Sequence, residues 1–138
     1  MRYLLDTNII SEFISTKPNE NVQKFILTLK EEDLFLSVIT IGEIKFGIEK
    51  LEDGKKKVSL LHWLENDLLQ RFNNKILPIN VNVMLKWGAL NQELKKLGKP
   101  LPLMDSIIGA TCQEFEMTLI TRNEKDFKNI SIEIINPF

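Results

Sequence analysis

Four polar side chains stand where predicted strands and helices meet: Asp6, Glu43, Asp105 and Asn123. Three are carboxylates, and in a parallel α/β sheet the carboxyl ends of the strands share one edge, where ligands bind. Carboxylates gathered at one edge repel one another and raise each other's pKa values unless a cation neutralises them. All-oxygen ligands with no histidine or cysteine beside them indicate Mg²⁺ or Mn²⁺.

Each of these positions also has a local structural explanation. Asp6 could simply cap a helix. Thr40 and Glu43 fit a capping box, in which a threonine caps the helix and a glutamate three residues later reaches back. Asp105 stands at a helix start, where the helix dipole favours a negative charge by roughly 0.3–1 kcal/mol. A turn is the favoured interpretation for Asp126, three residues after Asn123.

The elements that must position these side chains alternate along the chain. Short apolar runs predict strands, and apolar residues repeating every three or four positions predict helices. The predicted strands are 2–5, 34–38, 75–79, 117–121 and 131–135, and the predicted helices are 8–16, 20–29, 40–51, 55–72, 81–97 and one that follows Pro102. This alternation favours a parallel sheet of about five strands between helical layers, a three-layer α/β/α fold, and leaves the strand order open.

Size and composition are those of a globular protein. The chain has 138 residues, of which 43% are hydrophobic and 27% charged, and one cysteine, Cys112, which cannot form an internal disulfide. We expect a single domain over 1–138 in the cytoplasm, with no membrane association, because no apolar run approaches ~20 residues. The net charge of -1 argues against a simple nucleic-acid-binding module.

Four stretches carry a resemblance to a known family: LLDTNIIS, SVITIGEIKFGI, GKPLPLMDSIIGATC and TLITRNEKDF. In order and spacing, the chain resembles the PIN-domain ribonucleases, and in particular the VapC-type toxins of type II (VapBC) toxin–antitoxin systems. The resemblance implies a PIN-like fold, a bound Mg²⁺ or Mn²⁺ ion and hydrolysis of RNA phosphodiester bonds by an endoribonuclease. It covers nearly the whole chain.

The resemblance also assigns residues. By position, Asp6, Glu43 and Asp105 are the acids of the metal site, and Thr7 orients water or metal ligands beside Asp6. The fourth family position is often an aspartate and is Asn123 here, which weakens the case for a four-carboxylate, two-metal site. A metal held there would activate a water for attack on the scissile phosphate.

Substrate and partner expectations follow from the same resemblance. Arg122, Lys45, Lys99 and Lys125 lie close to the motifs and are candidates for phosphate contacts, with surface solvation an equal alternative. The expected partners are an RNA substrate, a VapB-like antitoxin that inserts a segment into the active-site groove, and a second copy of the chain in a homodimer.

Three other functions compete with the nuclease. A haloacid-dehalogenase-type phosphotransferase would need an acid at the position of Asn8, and a receiver domain would need an aspartate within 79–82, where there is none. A catalytically silent PIN-fold adaptor is the stronger rival, since Asn123 would then mark lost chemistry.

Overall fold

Five parallel strands form the central sheet, in the order β3-β2-β1-β4-β5. The computed structural model describes residues 1–138. The strands are β1 (Tyr3–Leu5), β2 (Leu34–Ser37), β3 (Ile76–Leu77), β4 (Thr118–Ile120) and β5 (Ile134–Ile135). The predicted parallel sheet is confirmed, and the largest shortening is in the two edge strands, which pair on one side only.

Helices connect the strands and cover both faces of the sheet. They are α1 (Thr7–Phe13), α2 (Glu20–Leu27), α3 (Val38–Glu49), α4 (Lys55–His62), α5 (Leu69–Arg71), α6 (Val81–Lys96), α7 (Leu103–Phe115) and α8 (Glu124–Phe127). A π-helical segment, Trp63–Leu68, joins α4 to α5, so the helix predicted over 55–72 is present with a local change of winding. No helix combines the length and the hydropathy that crossing a bilayer requires.

Leu4 and Leu5 show how the layers form, because successive side chains of a strand point to opposite faces. Leu4 packs into a core with side chains of α6 and α7. Leu5 packs into a second core with side chains of α1, α2, α3 and the Trp63–Leu68 segment. Cys112 lies buried in the first core. The sheet is therefore the middle of three layers.

The start of α3 differs from the sequence prediction. The helix begins at Val38, and the Ser37 side chain caps it by accepting a hydrogen bond from the amide of Ile39 at 3.0 Å. The capping box predicted for Thr40 and Glu43 is therefore wrong, because the serine at the end of β2 already satisfies the helix start. Glu43 lies in the second turn and is left free for other contacts.

Candidate acidic active site

The strand order places one particular edge of the sheet at its topological switch point. In the sheet, β2 and β3 lie on one side of β1, and β4 and β5 lie on its other side. Ligands of open α/β sheets bind at such a point, beyond the carboxyl ends of the strands. Asp6 follows β1 directly and Thr121 follows β4, and the Asp6 amide donates to the carbonyl of Ile120 at 3.0 Å.

Asp6 is the most firmly held acid of this edge, and only 5% of its surface is exposed. Its Oδ1 accepts the amide N–H of Thr7 at 2.8 Å, which starts α1. Its Oδ2 accepts hydrogen bonds from Thr121 Oγ1 at 2.8 Å and from Asn8 Nδ2 at 3.3 Å. Asp6 thus caps a helix, as one interpretation predicted, and is also fixed at the centre of the edge with lone pairs to spare.

Glu43 reaches the same edge from α3. Its Oε1 accepts a hydrogen bond from Thr7 Oγ1 at 2.7 Å. Thr7 therefore bonds Asp6 through its backbone amide and Glu43 through its hydroxyl. The side chain of Thr7 orients Glu43, whereas the resemblance placed its effect beside Asp6.

Asp105 is the third residue of α7 and is half-buried. Burial, followed by the charges of Asp6, Glu43 and Asp126, raises the pKa of Asp105 to about 6. No hydrogen bond or basic side chain offsets these effects. The fold therefore brings three carboxylates from separate elements within electrostatic range of Asp105.

The carboxylates do not form a ready-made ligand cluster. No three side chains among His, Cys, Asp and Glu lie close enough together to hold a metal ion. The types of donor nevertheless suit a hard divalent cation, since all are oxygens. Asp105 has an unengaged carboxylate and a raised pKa, as expected for an acid that lacks a neutralising partner.

The segment after β4 contains a short helix where a turn was expected. Asn123 is exposed, precedes α8, and donates its backbone amide to Thr121 Oγ1 at 3.0 Å. The helix brings Asp126 close enough to Asp105 for its charge to raise the pKa of that carboxyl. Asp126 is thus part of the acidic surroundings, although local sequence favoured a plain turn residue.

A PIN domain model matches residues 3–133 of the chain, spanning all the elements that carry these acids. The chain belongs to the PIN domain family. It is 36% identical over 135 residues to the toxin FitB of Neisseria gonorrhoeae, covering 98% of this chain and 97% of FitB. It is 30% identical to VapC ribonuclease Y4jK of Sinorhizobium fredii, covering 98% and 96% of the two chains. The crystal structure of FitAcB from Neisseria gonorrhoeae superposes with a TM-score of 0.93 at 36% identity, covering 98% and 97%.

Two polar residues of this PIN domain escaped the sequence prediction as site residues. Thr121 is fully buried and bonds both Asp6 and the amide of Asn123. Asn8 contacts Thr121 Oγ1 at 3.4 Å and accepts the backbone amide of Arg122 at 3.0 Å. The sequence held one signal for Thr121: it is a polar residue at the end of a buried strand, two positions before the candidate Asn123.

The basic residues of this PIN domain lie on its surface. Lys45, Lys99, Arg122 and Lys125 are all exposed. Lys45 pairs with Glu49 at 3.7 Å, and the Arg122 guanidinium stacks over the ring of Phe138 at 4.9 Å. None of them is paired with an acid of the site, so phosphate contact remains a prediction for each.

Proposed function

We propose that this PIN domain is a divalent-metal-dependent endoribonuclease and the toxin of a VapBC-type toxin–antitoxin pair. The observation that carries the proposal is the convergence of Asp6, Glu43 and Asp105 at the switch point of the sheet, where the charges of the first two help to raise the pKa of Asp105. The names of the relatives, a toxin and a VapC ribonuclease, support the same function over nearly the full length. We further propose that residues 1–138 act as one domain and as a homodimer.

Asp6, Glu43 and Asp105 would hold Mg²⁺ or Mn²⁺. Such a cation, when bound, would neutralise the acidic edge and polarise a phosphate of the substrate, which allows an acidic surface to accept a polyanion. Asn123 would contribute its side-chain oxygen, a neutral donor at a position where the PIN family often has an aspartate. The backbone amide of Asn123 donates a hydrogen bond to the buried Thr121 hydroxyl, which fixes the position of the residue.

Within this edge the acids have different surroundings and therefore different tasks. Asp6 is fixed through both oxygens and sets the centre of the site. One oxygen of Glu43 accepts a hydrogen bond from Thr7, and the other is free to orient a water toward the phosphate. Asp105 has a pKa raised to about 6 and responds most strongly to a neutralising cation.

The first experiment compares RNA cleavage by purified wild-type protein with Asp6→Asn and Asp105→Asn. Mg²⁺ or Mn²⁺ is removed with a chelator and then restored. We expect cleavage by the wild type that is lost on chelation, regained on addition of the ion, and absent in both variants. Asp67→Asn, an exposed aspartate of the π-helical segment, is the matched control and should cleave normally. Equal cleavage by all proteins would point to a contaminant and refute the assignment.

A catalytically silent adaptor remains the second candidate, because the ligands are not preassembled and Asn123 replaces an acid. An adaptor would bind its partner equally well with or without Asp105. Wild-type protein that cleaves no cellular RNA in either ion, while still binding a partner encoded nearby, would favour this function over the nuclease.

A groove of about 390 Å³ starts at Thr7 and Glu43 and runs between α1, α3 and α4, as the proposed antitoxin contact requires. Its lining is mostly apolar and includes Ile14 and Leu60. We therefore expect Ile14→Asp to weaken neutralisation by a co-expressed antitoxin while RNA cleavage continues. Neutralisation unchanged by Ile14→Asp, with cleavage intact, would place the antitoxin elsewhere.

A further inference from the structure

The first turn of α7, which carries Asp105, has few anchors of its own. The helix starts after Pro102, and no side chain caps it. Leu103 and Met104 are 58% and 47% exposed, so they do not fasten the turn to the core. The Asp105 carboxylate lies in the repulsive field of the other acids and has no bonding partner. Something else must hold this turn in place.

Ser106, the next residue, provides the anchor. It is fully buried, and its Oγ donates to the carbonyl of Leu103 at 2.7 Å. The same oxygen accepts the indole N–H of Trp87 at 2.8 Å. Trp87 comes from α6 and is half-buried against the core between α6, α7 and the sheet. This pair of bonds fastens the first turn of α7 across to a second helix.

We propose that Trp87 is a positioning residue for Asp105, acting through the Ser106 hydroxyl. A hydrogen bond from a half-buried indole to a buried hydroxyl fixes direction as well as distance, and its loss leaves a buried acceptor only partly satisfied. Residues that hydrogen-bond a metal ligand directly typically change metal affinity 10–100-fold when replaced, and Trp87 acts one residue further out, which favours the lower end of that range. The inference rests on the proposed function, because it concerns an acid assigned there to the cation.

The test measures Mn²⁺ binding to the full chain by calorimetry, in the absence of RNA. Trp87→Phe keeps a six-membered aromatic ring in the core and removes the pyrrole part of the indole with its N–H. We expect its Kd for Mn²⁺ to rise by about tenfold. Trp63→Phe is the matched control, since Trp63 is the other tryptophan of the chain and packs against the other core. The Kd of this variant for Mn²⁺ should match that of the wild type.

Two further variants separate positioning from general loosening. Ser106→Ala also removes the bond to the Leu103 carbonyl and should weaken Mn²⁺ binding at least as much as Trp87→Phe does. The double variant should bind no more weakly than Ser106→Ala alone, because the bond from Trp87 is already lost in that variant. Circular dichroism at the temperature of the titration checks that every variant is folded. Amide exchange at Ser106, whose N–H bonds the Pro102 carbonyl at 3.0 Å, should quicken in Trp87→Phe and stay unchanged in Trp63→Phe.

The outcomes are distinguishable. Normal Mn²⁺ affinity in folded Trp87→Phe would overturn the positioning role and leave the proposed function standing. The same loss in Trp63→Phe, or simple addition of the two losses in the double variant, would also overturn it. A wild-type protein that binds no Mn²⁺ would overturn the metal site of the proposed function and the role of Trp87 with it.

Discussion

Replacing Asp105 with asparagine should stabilise the cation-free protein while abolishing its activity. In the folded chain, burial and the charges of Asp6, Glu43 and Asp126 raise the pKa of the Asp105 carboxyl to about 6. An unfolded chain ionises an aspartate near its ordinary value of 3.8. Because no hydrogen bond to this carboxylate is lost, the main effect of Asp105→Asn is to relieve the cost of burying the charge and the repulsion by the neighbouring acids.

The direction of the pH dependence follows from proton binding. Between about pH 4 and pH 6 the folded protein holds a proton on Asp105 that the unfolded chain has released, so the free energy of unfolding falls as the pH rises. The destabilisation is complete above about pH 6 and absent below about pH 4. The separation of the two pKa values corresponds to ~3 kcal/mol. Solvent screening of a half-buried carboxylate reduces this to ~1–2 kcal/mol.

For a chain of this length, that difference raises the melting temperature by about 3–8 °C. The assay is thermal unfolding of wild type and Asp105→Asn in chelator, at pH values from about 4 to about 8. We expect the variant to be more stable near pH 7.5 and the two curves to meet near pH 4. Adding Mg²⁺ near pH 7.5 should stabilise the wild type more than the variant, since a cation relieves the same repulsion.

Two results would refute this reasoning. One is an Asp105→Asn protein that is less stable than the wild type near pH 7.5, which would mean that the carboxylate makes favourable contacts. The other is a gain in stability that is the same at every pH, since a pH-independent effect cannot come from ionisation of Asp105. Asp67→Asn serves again as the exposed control and should change stability by less than ~0.5 kcal/mol.

Four further substitutions test the packing, the hydrogen bonds and the ligands of the site. Thr121→Val removes the buried hydroxyl that donates a hydrogen bond to Asp6. In chemical denaturation the free energy of unfolding should fall by ~1–3 kcal/mol, and most of the cleavage activity should be lost. Gly88→Ala has open space around it and should stabilise by ~0.5–1 kcal/mol. Gly109→Ala would put a Cβ 2.6 Å from Ile130 Cδ1, which must shift, so this variant should be less stable than Gly88→Ala by ~1 kcal/mol. Asn123→Asp adds a carboxylate and should tighten Mn²⁺ binding in calorimetry; unchanged or weaker binding would show that residue 123 is not a ligand.

Local sequence carried most of the information about the elements. Apolar runs and three-to-four-residue spacing predict secondary structure because they report which face of a short segment is buried. The strand after Met1 and the helix that follows Asp6 were predicted in this way. The capping box at Thr40 failed because Ser37, an equally good cap, stands at the strand end three residues earlier and takes the helix start. Such competition between caps is decided by where the strand ends.

By itself, the sequence determined which oxygen-bearing residues stand at the junctions of strands and helices, and through four motifs it determined the family. The tertiary structure alone decided the strand order that puts β1 beside β4, and with it the bond between Asp6 and Thr121 across 115 residues. It also decided the link from Trp87 to Ser106 and the approach of Asp126 to Asp105. The physical reason is that burial periodicity is written into neighbouring residues, whereas a hydrogen bond or a charge interaction between distant segments leaves no local pattern.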